Sequence, residues 1–233
     1  MLKKHRITRR LGTIVREASE EVVQRILDIY KGNIRGREED ITAQLGSEIT
    51  IHLIEEIKKR LDGEELNGVK FDVYTYKKKK EEKLTGADLA GVLEIEVNGK
   101  KTSKAYLAQA KVCQIKREDR VGNPVIYCYD KNINDQASKM LNITSDSFFF
   151  LYTKQGIYVI PAIEVCSTCK NSINTEELHY HTFGVFYEEF FKCFVGDHKI
   201  APIYKDVKTL ATFAEEYKVN NVLYIKATIK NDG

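Results

Sequence analysis

The chain has 233 residues, of which 42% are hydrophobic and 30% charged, with a formal net charge of +3. This is the composition of a soluble globular protein, one large domain or one domain with an appendage, able to bury a substantial core. No segment is long or apolar enough to span a membrane, and five cysteines without an export signal point to a reduced, cytoplasmic setting.

In chain order, residues 12–31 are expected to form an amphipathic helix, because Ile14, Val15, Ala18, Val22, Val23, Ile26, Leu27 and Tyr30 recur at helical spacing. A second helix from about Asp40 to Leu61 gathers Ile41, Leu45, Ile49, Leu53 and Ile57 on one face and stops at Asp62-Gly63. Residues 69–76 alternate apolar and polar, as a strand does. Strands over 84–97 and 105–112 follow, joined by a polar connection that opens with Asn98-Gly99, a hairpin signal. Residues 113–130 match no single template, with a turn at 121–124. A helix is expected over 132–142, then strands over 147–153 and 157–162 about a turn at Gln155-Gly156. Beyond these come an aromatic, helix-bearing segment within 178–196, a helix over 206–217 and a strand over 221–229. The order gives an α/β (α+β) fold, a central mixed β-sheet flanked by helices. Its expected parts are an N-terminal helical segment (1–39), a core (40–162) and a C-terminal extension packed on that core (163–233).

The hairpin carries the candidate chemistry. Side chains alternate across a strand, so Gln109 and Lys111 share a face while Ala110 takes the other. The hairpin brings Asp88 beside them, and Gly86 and Ala87 leave room for a ligand to approach the backbone. An amide and a lysine within an apolar strand are costly unless something satisfies them. An acid on one strand and a polar-x-Lys pair on the next can hold a divalent metal beside a lysine, the chemistry of phosphodiester cleavage. An amphipathic hairpin whose polar face is merely wet satisfies the same pattern.

Gly86-Ala87-Asp88 and Gln109-Ala110-Lys111 resemble the motifs of the PD-(D/E)XK nuclease superfamily, in the Mrr-type D…QxK branch where Gln replaces the second acid. Residues 135–162 resemble the helix and strands that complete such cores, so the resemblance spans roughly residues 40–162. It implies a restriction-endonuclease-like core and a DNA endonuclease dependent on Mg²⁺ or Mn²⁺, serving restriction or anti-phage defence as a homo-oligomer or with a partner protein. It implies metal ligands from Asp88, Gln109, the Ala110 carbonyl and a helical acid, for which Glu48 is the choice, with Lys111 as the catalytic lysine. Gln136, on the following helix, would face the DNA. Gln109 is the departure from the commoner acidic form, since an amide oxygen binds a hard cation more weakly than a carboxylate. A nuclease fold kept only for DNA binding or assembly is therefore the competing reading.

Basic clusters flank the motif. Lys77 to Lys80 (Lys78 and Lys79 central) precede Asp88, Lys100, Lys101 and Lys104 sit in the hairpin, and Lys116, Arg117 and Arg120 follow Lys111. They suit a phosphate-binding rim, or solvated loops. A fourth cluster, Lys3, Lys4, Arg6, Arg9 and Arg10, opens the chain. Glu94 and Glu96 share Asp88's face farther along. Cys166-x-x-Cys169 and His179-x-His181 offer zinc-type ligands without one of the strong zinc spacings, and unpaired cysteines account for them as well.

Overall fold

The computed structural model describes residues 2–30, 41–42, 45, 48–61, 69–77 and 85–229. Helix α1 (Leu2–Tyr30) is followed by a π-helical turn (Ile49–Leu53) running into α2 (Ile54–Leu61). Then come β1 (Val69–Lys77), β2 (Leu89–Val97), β3 (Lys100–Val112), β4 (Gln114–Glu118), β5 (Pro124–Tyr129), α3 (Ile133–Leu141), β6 (Ser147–Tyr152) and β7 (Ile157–Pro161). The chain continues through α4 (Ala162–Ser167), β8 (Ser172–Asn174), β9 (His181–Thr182), α5 (Phe183–Phe191), α6 (Val207–Glu216) and β10 (Asn221–Ile229).

Seven strands form one mixed sheet in the order β1-β10-β2-β3-β6-β7-β9, and β4-β5-β8 form a second, smaller one. β10 runs parallel to β2 and antiparallel to β1. Residues 163–233 thus supply a strand inside the central sheet, between two strands from before residue 100, as well as helices packed on it.

The alternation within β2 and β3 divides the core in two. Leu89, Leu93 and Ile95 with Tyr106, Ala108 and Ala110 face one layer, filled by α1, the helical segment before β1 and α5. Ala90 and Val92 with Ala105 and Leu107 face the other, filled by α3, α4, α6 and the small sheet. β2 and β3 have near-continuous apolar runs because both faces are covered.

Three boundaries differ from the sequence expectation. α1 begins ten residues before position 12, because its first turns are polar and carry no apolar stripe for periodicity to detect. β3 begins at Lys100, so the connection is a two-residue turn in which Asn98 (φ 51°) and Gly99 (φ 79°) both take left-handed conformations. Lys101 and Lys104 accordingly lie within a strand. Asp88 stands one residue before β2, since the chain bends away at Thr85-Gly86, where Gly86 has φ 77°.

Candidate functional site

β2 ends its pairing with β3 at Leu89 opposite Ala108, and Asp88 takes over beyond that point. Its N–H donates to the Ala108 carbonyl at 2.8 Å. Its carbonyl accepts from the Asn221 backbone N–H at 3.2 Å and from Asn221 Nδ2 at 3.3 Å, so the first residue of β10 clamps it. Its carboxylate Oδ2 accepts from the Ala110 N–H at 3.0 Å and from Gln109 Nε2. Asp88 thereby stands in for the strand that β3 lacks past Ala108. Gly86 makes the bend possible twice over: its φ is left-handed, and a Cβ there would lie 2.7 Å from the Gln136 carbonyl oxygen and 2.9 Å from Gln136 Cα.

Gln109 is fully buried, and its Nε2 also donates to the Ala110 carbonyl at 2.9 Å. With both amide hydrogens committed to acceptors, Oε1 is the remaining end of the group, and it is buried with no hydrogen-bond partner. Thr85 Oγ1, Asn134 Oδ1 and Gln136 Oε1, from the bend before Asp88 and the first turns of α3, are also buried and unpartnered. Four of the seven such atoms among the described residues therefore belong to the segments around Asp88, although unsatisfied buried polar groups are rare in folded proteins.

Lys111 is 4% exposed and points to the same face as Gln109. Its Nζ lies 2.5 Å from Oδ2 of Asp130, at the end of β5. Asp130 Oδ1 accepts from the Asn132 N–H at 2.9 Å. Burial acts to raise the Asp130 carboxyl, but the bonds from Lys111 and Asn132 outweigh it and hold the group below the usual carboxylate range. Asp130 and Asn221 were not among the residues expected at the site. Asp130 lies 19 positions from Lys111 in a segment without clear periodicity, and Asn221 lies 133 from Asp88, so no local pattern joins them.

The structure thus brings together Asp88, Gln109 and Ala110 by direct bonds, with Lys111 on the same face and the Gln136 backbone against Gly86. Leu45, Ile49 and Leu53, around Glu48, pack in the layer on the face opposite Gln109 and Lys111, and Glu48 Oε2 is 3.3 Å from His52 Nε2. Lys78 and Lys79 lie outside the described residues. Lys101 stands 3.8 Å from Glu94 and 3.7 Å from Glu96, and Lys116 Nζ sits 3.6 Å above the Tyr127 ring centre. Glu94 is buried, with the Tyr224 hydroxyl donating to it at 2.5 Å and Lys226 at 3.5 Å; the contact with Glu94 and burial push the Tyr224 phenol well up, burial most. Six residues along β2, or about 20 Å, separate this group from Asp88.

The groups around Asp88 are of the oxygen type a hard cation takes, but the Gln109 amide turns Nε2, not Oε1, toward the Asp88 carboxylate and the Ala110 carbonyl. Among the described residues, no three His, Cys, Asp or Glu side chains gather into a metal-holding group. Cys166 Sγ lies 3.5 Å from Ser138 Oγ, while Cys169 is exposed and His179 Nδ1 lies 3.7 Å from Glu164.

No protein-family model, curated protein or solved structure matches the chain. Among the described residues no helix is long and apolar enough to cross a membrane.

Proposed function

We propose that this chain is a metal-dependent DNA endonuclease on a restriction-endonuclease-like core. The observation that carries the reading is the Asp88–Gln109 pairing, with Lys111 on the same face and Gln109 Oε1 buried without a partner. Asp88, Glu48, the Ala110 carbonyl and, once its amide turns over, Gln109 Oε1 would hold Mg²⁺ or Mn²⁺. The bound ion supplies Lewis-acid stabilisation and an acidified water. Lys111 places a positive charge where a phosphoryl oxygen gains negative charge, and Asp130 holds that ammonium in position. Hydrolysis would leave a 3′-hydroxyl and a 5′-phosphate. Lys101 and Lys116 would add backbone affinity that falls with salt. Restriction or anti-phage defence, in an oligomer or with a partner protein, is the setting this activity would serve.

Plasmid nicking with Mg²⁺ or Mn²⁺ tests the proposal. Asp88→Ala and Lys111→Ala should each slow cleavage by about 100-fold or more. Unchanged cleavage in both variants would sink the assignment. A second reading, a nuclease fold retained for DNA binding, is favoured by one observation: the site is internally satisfied at Lys111, which Asp130 neutralises. Salt-sensitive DNA binding by a wild-type chain that never cleaves would select it.

A further inference from the structure

The second sheet places two cysteines opposite each other. β4 and β5 pair antiparallel, with Gln114 opposite Tyr127 and Ile115 opposite Ile126. Continued one step, the same register sets Cys113 opposite Cys128, and two steps further it sets Lys111 opposite Asp130, whose side chains do meet at 2.5 Å. The cysteine rung therefore lies between two observed contacts. Cys128 Sγ is 3.9 Å from the Val112 carbonyl oxygen and Cys113 Sγ is 3.5 Å from that of Lys111.

The backbone hydrogen bonds say which kind of rung it is. The Cys113 N–H donates to Tyr152 of β6, away from β5. Ile126, two residues from Cys128 and of the same parity, directs its N–H and carbonyl to Thr175, away from β4. In that continued register Cys113 and Cys128 take a non-hydrogen-bonded position, the closer kind, in which Cα atoms stand about 4.5 Å apart and both side chains share one face. That spacing falls within the range a disulfide spans, about 4.4–6.8 Å. Both residues are thiols, 5% and 7% exposed, and both pack in the same core layer.

We propose that Cys113 and Cys128 are a reversible oxidation site, a dithiol that closes to a disulfide under hydroperoxide. One thiolate attacks the O–O bond of hydrogen peroxide, giving a sulfenic acid and, after proton uptake, water. The second thiol then attacks that sulfur and expels a second water, so two thiols and one peroxide give one disulfide and two waters. The bridge would tie β5, and Asp130 at its end, to the strand carrying Lys111. The proposal is independent of any nuclease activity.

The test is a non-reducing peptide map of the folded wild-type chain after brief hydrogen peroxide treatment, catalase quenching and alkylation in denaturant. The expected result is loss of two of the five thiols, restored by dithiothreitol, with a cross-linked peptide pair holding Cys113 and Cys128. Cys113→Ser and Cys128→Ser should each abolish that pair. Peroxide added to the unfolded chain should lose the selectivity, because the register that aligns the two thiols is gone. Complete alkylation of Cys113 and Cys128 after treatment, or bridges only to Cys166, Cys169 or Cys193, would overturn the assignment. Because the wild-type map carries the test, a variant that fails to fold does not decide it.

Discussion

The Lys111–Asp130 pair should respond asymmetrically to losing one partner or the other. The Lys111 side chain is 5% exposed and that of Asp130 is 30% exposed. Asp130→Asn leaves an ammonium buried without its counter-charge, and removing one partner of a buried pair costs about 3–5 kcal/mol. Lys111→Met keeps the apolar stem, and the carboxylate it strands can hydrate and retains the Asn132 N–H, so its cost should be nearer 1 kcal/mol. The expected order is therefore Asp130→Asn well above Lys111→Met, by about 2 kcal/mol. The double variant should lie close to Lys111→Met alone, because no buried charge remains. Urea unfolding followed by far-ultraviolet circular dichroism, with the four chains of a double-mutant cycle, measures all three differences. The acid side adds a check. Asp130 is held below its unfolded value of about 3.9, so its contribution is complete above that pH and is lost as pH falls through the folded value. Asp130→Asn should flatten the stability curve in that window. Equal costs for the two single variants, or a larger cost for Lys111→Met, would refute the reasoning that burial of Lys111 governs the pair.

Two further outcomes are expected. A Cβ on Gly91 would overlap the Tyr106 ring and lie 2.6 Å from its hydroxyl, and that ring is fenced by Phe148, Phe150, Phe186 and Phe190 and bonded to Tyr187 at 3.1 Å. Gly91→Ala should therefore cost about 3 kcal/mol in urea titrations, and Tyr106→Leu in the same chain should recover part of it. Burial pushes the Lys104 ammonium down to about 8, against the opposing pull of Cys193 and Asp146. The unfolded lysine, at about 10.4, holds its proton longer, so stability should rise between about pH 8 and pH 10.4. Lys104→Met should remove that rise, and a chain whose stability is flat over this interval with Lys104 intact would contradict it.

Much of the central hairpin was legible from residue order. Strand alternation placed Gln109 with Lys111, and Asn98-Gly99 marked the turn, because both signals are local. The rest depended on register across long separations. The segment 113–130 carries charged residues on two short strands of the small sheet, so neither helical nor strand periodicity is sustained. Asp130 acquires its role only when β5 folds back along the end of β3. Glu48 sits beside an apolar stripe that packs on the face opposite Gln109 and Lys111, and a one-dimensional pattern does not say which face of a sheet such a stripe will cover. Asn221 became visible only once β10 was found between β1 and β2.

That position of β10 has a kinetic consequence. Val69 pairs with Ile229 and Leu89 with Asn221, contacts that span more than a hundred residues. Until residues 221–229 have emerged from the ribosome, β2 presents an unpaired edge and β1 has no neighbour in the sheet. High contact order of this kind slows folding and leaves apolar strand edges open to other chains. The same strand clamps the Asp88 carbonyl through Asn221, so the candidate site is complete only when β10 has joined the sheet.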